Sequence, residues 1–141
     1  VRPGLTAVPI VGLLAAILVS QGCTSTSQAA TDVINVEIHH SHFFPSKLSV
    51  AHDETVHFVV HNTDPIDHEF IVGDQATQDR HEHGTEDHHD GSVPGEISVP
   101  AGAVVETTYH FGPPSQKQIF YGCHLPGHWA YGMHGPIRVS S

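Results

Sequence analysis

An all-β fold, a Greek-key β-sandwich, is what this sequence predicts, and three observations predict it. Short runs that alternate apolar and polar residues recur along the chain, β-branched residues fill them, and Gly, Pro, Asn and Asp separate them. No segment sustains a helical apolar period. Taken in order, VINVEI (33–38) alternates cleanly, and KLSV (47–50) and ETVHFVVHN (54–62) follow, joined by AHDET, where Asp53 is suited to a left-handed turn. HEFIV (68–72), EISV (96–99), AVVETTYHF (103–111), QIFYG (118–122) and GPIRVS (135–140) complete the set. Such a series of short strands with turn signals between them packs as two sheets. One stretch breaks the pattern. GDQATQDRHEHGTEDHHDGSVPG (73–95) is polar and rich in His and acid, and it is too long for a turn, so it reads as a loop that is functional or disordered.

A leader precedes the sandwich. LTAVPIVGLLAAILV (5–19) is apolar and uncharged, with Arg2 ahead of it and Pro9 inside it, which suits an export signal better than a spanning helix. It runs into VSQGC (19–23), which resembles a bacterial lipoprotein signal with Cys23 as the acylated first residue of the mature chain, although Ser20 stands where that pattern prefers Leu. The expected organisation is a signal peptide at 1–22, a flexible Ser/Thr/Gln/Ala tether at 23–31, and one domain at 32–141 carrying the His-rich loop 73–95. The expected place is the cell envelope, outside the cytoplasm, with the chain lipid-anchored to the outer face of the bacterial membrane. With Cys23 acylated, Cys123 has no disulfide partner, and a lone thiol in an oxidising compartment needs burial or a metal.

Five Lys+Arg against 15 Asp+Glu give a formal charge of −10. Nothing here neutralises phosphates, so a nucleic-acid partner is not expected, and an acidic surface favours cations and cationic partners. Histidine is the outlier at 15 copies, and imidazole is the commonest metal ligand.

The stretch YGCHLPGHWAYGM (121–133) concentrates the chemistry. Its spacing is Cys-x4-His-x4-Met, with Pro126 and Gly127 shaping the turn between two expected strands. Cu(I) prefers soft ligands and Cu(II) prefers nitrogen, and two imidazoles, a thiolate and a weak thioether serve both. Cys123, His128 and Met133 supply three of these from one loop, and His68, opening HEFIV after the turn NTDPID, is the candidate for the fourth.

With these residues in view, HNTDPIDHEFIVGD, PGEISVPAGAVVETTYHF and the Cys123–Met133 loop resemble the cupredoxin family of small blue copper proteins, the plastocyanin, azurin and auracyanin group. FFPSKLSV resembles the same family's second-strand segment. The resemblance implies a cupredoxin-like sandwich with one type 1 copper per chain. It implies His68, Cys123 and His128 as strong ligands and Met133 as the weak axial one. It also implies a solvent-facing Glu69 whose backbone N–H bonds the Cys123 sulfur. His124 is expected to point away from the metal at the surface. Trp129 reads equally as an apolar docking residue or as packing.

The segment RHEHGTEDHHDG (80–91) offers His81, His83, His88 and His89 among carboxylates, a donor set for a second, looser metal site to which His39, His40 and His42 could add. If that site works apart from the sandwich, a deletion of 79–90 leaves the copper site intact.

The leading expectation is a monomeric electron carrier, not an enzyme, that passes single electrons between envelope redox partners such as a cytochrome or another copper protein. The alternative is a copper-binding protein for storage, delivery or tolerance that works through the His-rich loop. An oxidase is not expected, since Gly122 precedes Cys123 and no His-x-His pair of the oxidase type surrounds the loop.

Overall fold

The computed structural model describes Gly4 and residues 32–84, 88–113 and 118–140. Apart from Gly4, the expected leader and tether, including Cys23, lie outside the described residues. In chain order the elements are β1 (Asp32–His39), β2 (His42–Phe44), β3 (Leu48–Ala51), β4 (Glu54–Asn62), β5 (His68–Asp74), α1 (Gln75–Glu82), β6 (Glu96–Val99), β7 (Val104–Phe111), β8 (Ile119–Gly122), α2 (His128–Tyr131) and β9 (His134–Ser140). The strands form two sheets in the orders β2-β1-β4-β7 and β3-β9-β8-β5-β6. The pairs β1/β4 and β3/β9 are parallel and join distant parts of the chain. The eight expected strands are all present, and β2 is an addition.

Alternation explains the core. Val56, Phe58 and Val60 on β4 point inward and are fully buried. Phe58 meets Phe70 of the other sheet with ring centroids 5.2 Å apart, and Phe43 of β2 reaches Tyr121 of β8 at 5.3 Å. Burying each such aromatic contributes about 1.5–3 kcal/mol relative to exposure.

Strand β2 follows a turn that composition does not announce. His40 and Ser41 both take positive φ, 51° and 55°, the geometry of a tight hairpin turn normally given to Gly or Asn. The Asp64 carboxylate accepts both of their backbone N–H groups at 2.7 Å, which holds the turn. Asp53 takes φ 54°, as the AHDET turn requires.

The stretch read as one polar loop, 73–95, is a different object. It contains helix α1, whose N-cap Asp74 accepts the Thr77 N–H at 3.0 Å. The helix lies on the outer face of the five-stranded sheet and buries a polar face, Gln78 and His81. Gln78 shares its amide hydrogens among the carbonyls of Ile71, Gly73 and Phe120 at 3.2–3.3 Å. β5 therefore has protein on both sides, and every residue from His68 to Gly73 is buried. This overturns the expectation that Glu69 faces solvent, since only 2 % of it is exposed. Among the described residues no helix is long and apolar enough to cross a membrane.

Candidate metal centre

Strands β5 and β8 are antiparallel neighbours with Ile71 opposite Gly122. That register brings the start of β5, where His68 stands, beside the end of β8, where Cys123 begins its loop. The loop closes on itself: Cys123 N–H donates to the Met133 carbonyl at 3.1 Å, and Met133 N–H donates to the His128 carbonyl at 3.0 Å. Gly127, at φ 84°, turns the chain into α2 and so presents His128. Gly122 allows a close approach, because a Cβ there would collide with the Trp129 ring.

Three side chains converge as a result. His68 Nδ1 and His128 Nδ1 are 3.3 Å apart, and Cys123 Sγ is 3.3 Å from the same His128 nitrogen. One donor atom from each of the three lies within 4.8 Å of the others. His68 and Cys123 are buried and His128 is half-buried, so the pocket meets solvent on the His128 side. Met133 is fully buried in the core beside them. Cys123 is a free, buried thiol.

The surroundings prepare these donors. His68 Nε2–H donates to Asp64 Oδ2 at 3.0 Å, which leaves the Nδ1 lone pair facing the pocket. Burial pulls the His68 pKa down against the pull of Asp64, so the ring is neutral and free to ligate at neutral pH. Asp64 itself lies below the usual carboxylate range: burial would raise it, but the N–H groups of Ser41 and His40 and the His68 ring outweigh that. Burial pushes the Cys123 thiol up to about 12, opposed by the backbone N–H groups of Leu125 and Glu69. Glu69 N–H does donate to Cys123 Sγ, at 3.3 Å. Asp64 was not singled out by sequence reasoning, although its place four residues before His68 in NTDPIDH was the available signal.

One flanking residue departs from expectation. His124 points away from the three donors as expected but is not a surface residue, its side chain being 2 % exposed. Its Nε2 faces Gln78 Oε1 at 2.8 Å and its Nδ1 faces Glu82 Oε2 at 2.9 Å, so α1 is tied to the loop. Burial lowers its pKa, against the opposing pull of the Glu82 carboxylate. Trp129, half-buried, stacks between His124 and His134 with ring centroids 4.8 and 4.3 Å away. The exposed aromatic of this loop is Tyr131.

The four histidines of the insertion separate. His81 and His89 are buried and converge with Glu96, while His83 and His88 are exposed. His39, His40 and His42 do not join that group: their turn is held at Asp64, beside His68. A deletion of 79–90 would thus remove the His81 ring and the Glu82 contact to His124, the neighbour of Cys123.

A family model described as a cupredoxin-like domain matches residues 10–86, just over half of the chain. That match takes in His68 and ends before the Cys123–Met133 loop. A protein of Vibrio cholerae described as copper-resistant cuproprotein CopI is 32% identical over 101 residues, covering 68% of this chain and 57% of the relative. A protein of the same description from Rubrivivax gelatinosus is 33% identical over 99 residues, covering 69% of this chain and 59% of the relative. The chain thus spans well under two thirds of the length of these two relatives. Among solved structures, an auracyanin of Roseiflexus castenholzii superposes with a TM-score of 0.63 at 17% identity, covering 79% of this chain and 99% of that one. Auracyanin A of Chloroflexus aurantiacus gives 0.59 at 20% identity, covering 77% and 98%. At that identity the two structures speak to the fold, and they agree on the open two-sheet sandwich. Fold and family match together make this chain a member of the cupredoxin-like domain family.

Proposed function

We propose that this chain is a copper protein of the cell envelope that serves copper tolerance, holding one type 1 copper ion between His68, Cys123 and His128 with Met133 as a weak axial ligand. The observation that carries this reading is the convergence of two imidazole Nδ1 atoms and one thiol on a single largely buried point. Nitrogen and soft sulfur together fit both oxidation states of copper. A copper ion bound there supplies a one-electron couple.

The residues of the chain do the rest. Asp64 orients His68 and fixes which nitrogen faces the pocket. The Glu69 N–H steadies negative charge on the Cys123 sulfur. Burial keeps the thiol protonated at neutral pH, so binding of a cation there would release a proton. The closed Cys123–Met133 loop keeps the donors in place, so little has to move when the charge of the site changes. Tolerance leads because the relatives at 32% and 33% identity carry that description.

A second reading, a carrier of single electrons to a redox protein partner, is favoured by the exposed Tyr131 on the same short helix as half-buried His128. The charge of −10 suits a cationic partner such as a cytochrome.

The test pairs a Cu(II) titration with growth of copper-sensitive cells. The full chain is expected to give an intense thiolate-to-copper band, bleached by reductant, and to raise the copper level the cells survive. Cys123→Ser should lose both. Equal protection by the two proteins would remove the pocket from the tolerance function. A normal band without protection would leave the carrier as the function.

A further inference from the structure

We propose that the chain carries a second, buried site for a borderline divalent cation, Zn(II) or Cu(II), built by His81 of α1, His89 of the following loop and Glu96 of β6, with Glu69 of β5 as a fourth ligand. One donor atom from each of His81, His89 and Glu96 lies within 4.8 Å of the others, and all three residues are buried. His81 Nε2 is 3.3 Å from Glu96 Oε2, and His89 Nε2 is 3.6 Å from Glu69 Oε1.

The atoms that face one another are the ones left without hydrogen bonds. Glu69 Oε1, His81 Nε2 and His89 Nε2 are buried and unpartnered. Such groups cost about 1–3 kcal/mol each in a folded protein, and an absent ion is among the standard reasons for finding them. The other polar atom of His81, Glu96 and Glu69 is already committed. His81 Nδ1–H donates to the Thr77 carbonyl at 2.9 Å, which makes Nε2 the bare nitrogen. Arg80 occupies Glu96 Oε1 at 2.8 Å and leaves Oε2 to the cluster. The His124 N–H occupies Glu69 Oε2 at 3.1 Å and leaves Oε1. His89 is clamped onto β6 by its N–H to Ser98 Oγ at 2.8 Å and its carbonyl to Ser98 N–H at 2.9 Å.

Charge points the same way. Arg80 pairs with Glu96 alone, and among the described residues no Lys or Arg pairs with Glu69. A buried negative charge needs a cation. Two imidazoles and carboxylate oxygens suit Zn(II) or Cu(II) and are too hard a set for Cu(I). A pocket of about 260 Å³ lined in part by His88, His89, Asp90 and Glu96 lies against two of the four ligands, His89 and Glu96.

The test uses the full chain with Cys123→Ser, so that the first pocket's failure and this one's are told apart. Zn(II) is titrated calorimetrically, and Co(II) is added as a visible reporter. One equivalent is expected to bind, with Co(II) giving ligand-field bands and no sulfur charge-transfer band. Glu96→Gln or His89→Ala should weaken binding by about 100-fold or more, since the partners of metal ligands alone are worth about 10–100-fold. His83→Ala and His88→Ala should leave affinity within about twofold. X-ray absorption at the Zn edge of the same Cys123→Ser protein reads the ligands directly and does not depend on any further variant folding: it should show imidazoles and oxygen only. No bound equivalent, or a loss of affinity in the His83 or His88 variants that matches the loss in the other two, overturns the site.

Discussion

The His68–Cys123–His128 pocket and the His81–His89–Glu96 cluster both gather donors within 4.8 Å, and they are built in opposite ways. The first takes two of its three donors from one closed loop and mixes soft sulfur with nitrogen, a set for an ion that changes oxidation state. The second takes one donor each from a helix, a loop and a strand and has no sulfur, a set for an ion that does not need to. Glu69 stands between them: its backbone N–H meets the Cys123 sulfur and its carboxylate faces His89. Density of ligand-type residues in a segment is therefore a poor guide to where an ion sits, since half of the insertion's histidines point to solvent.

The largest effect that separates the two regions is expected from Cys123→Ser. It should abolish the thiolate-to-copper band completely and leave the uptake of Zn(II) by the second cluster unchanged. Loss of both in a protein with unchanged circular dichroism would mean that the two are one site.

Gln78→Ala comes next, because it withdraws donors from three carbonyls beneath α1. It should cost about 3 kcal/mol in urea unfolding. It should also disturb His124, whose Nε2 loses its acceptor. A cost below about 0.5 kcal/mol, the usual range for surface changes, would show that α1 merely rests on the sheet.

Asp64→Asn tests the orientation of His68. Copper affinity should fall by about 10–100-fold, while Zn(II) affinity of the second cluster should hold. Equal losses at both sites would point to a general loosening of the fold.

A smaller effect is expected from pH on the metal-free chain. Burial holds the His68 and His124 pKa values below the ordinary 6.5, so the unfolded chain binds more protons in the window beneath that value. Stability should be level above about pH 6.5 and fall as pH drops through the window. Asp64, lowered from 3.8, adds a further loss as pH falls below that value. Urea midpoints between pH 3 and 8 check both limbs, and a midpoint that rises on acidification to pH 5 would contradict the burial of these rings.

The smallest expected effect joins the two regions. A divalent cation at the second cluster places positive charge near Glu69 and should raise the reduction potential of the first site slightly, read by redox titration with and without Zn(II). A potential that does not move would make the two regions electrostatically independent.

Much of this architecture was legible from the chain alone. Alternation located β4 residue for residue, because a strand with one face in the core must alternate. Cys123 and His128 were legible because loop spacing alone brings them close, and His68 because it opens a strand after a turn. Helix α1 was not legible, since its buried face is Gln78 and His81 and it has no apolar stripe to detect. The burial of Glu69 depends on that helix, so it was hidden with it.

What the sequence by itself determined is the sandwich and the chemical identity of the first pocket's donors, since strand periodicity and loop spacing are local properties of a chain. What only the tertiary structure decided is which histidines of the insertion meet, that Glu96 joins them, and that Asp64 aims His68. Those contacts link residues from separate elements, and their distances depend on how a helix seats on a sheet, which no local pattern encodes.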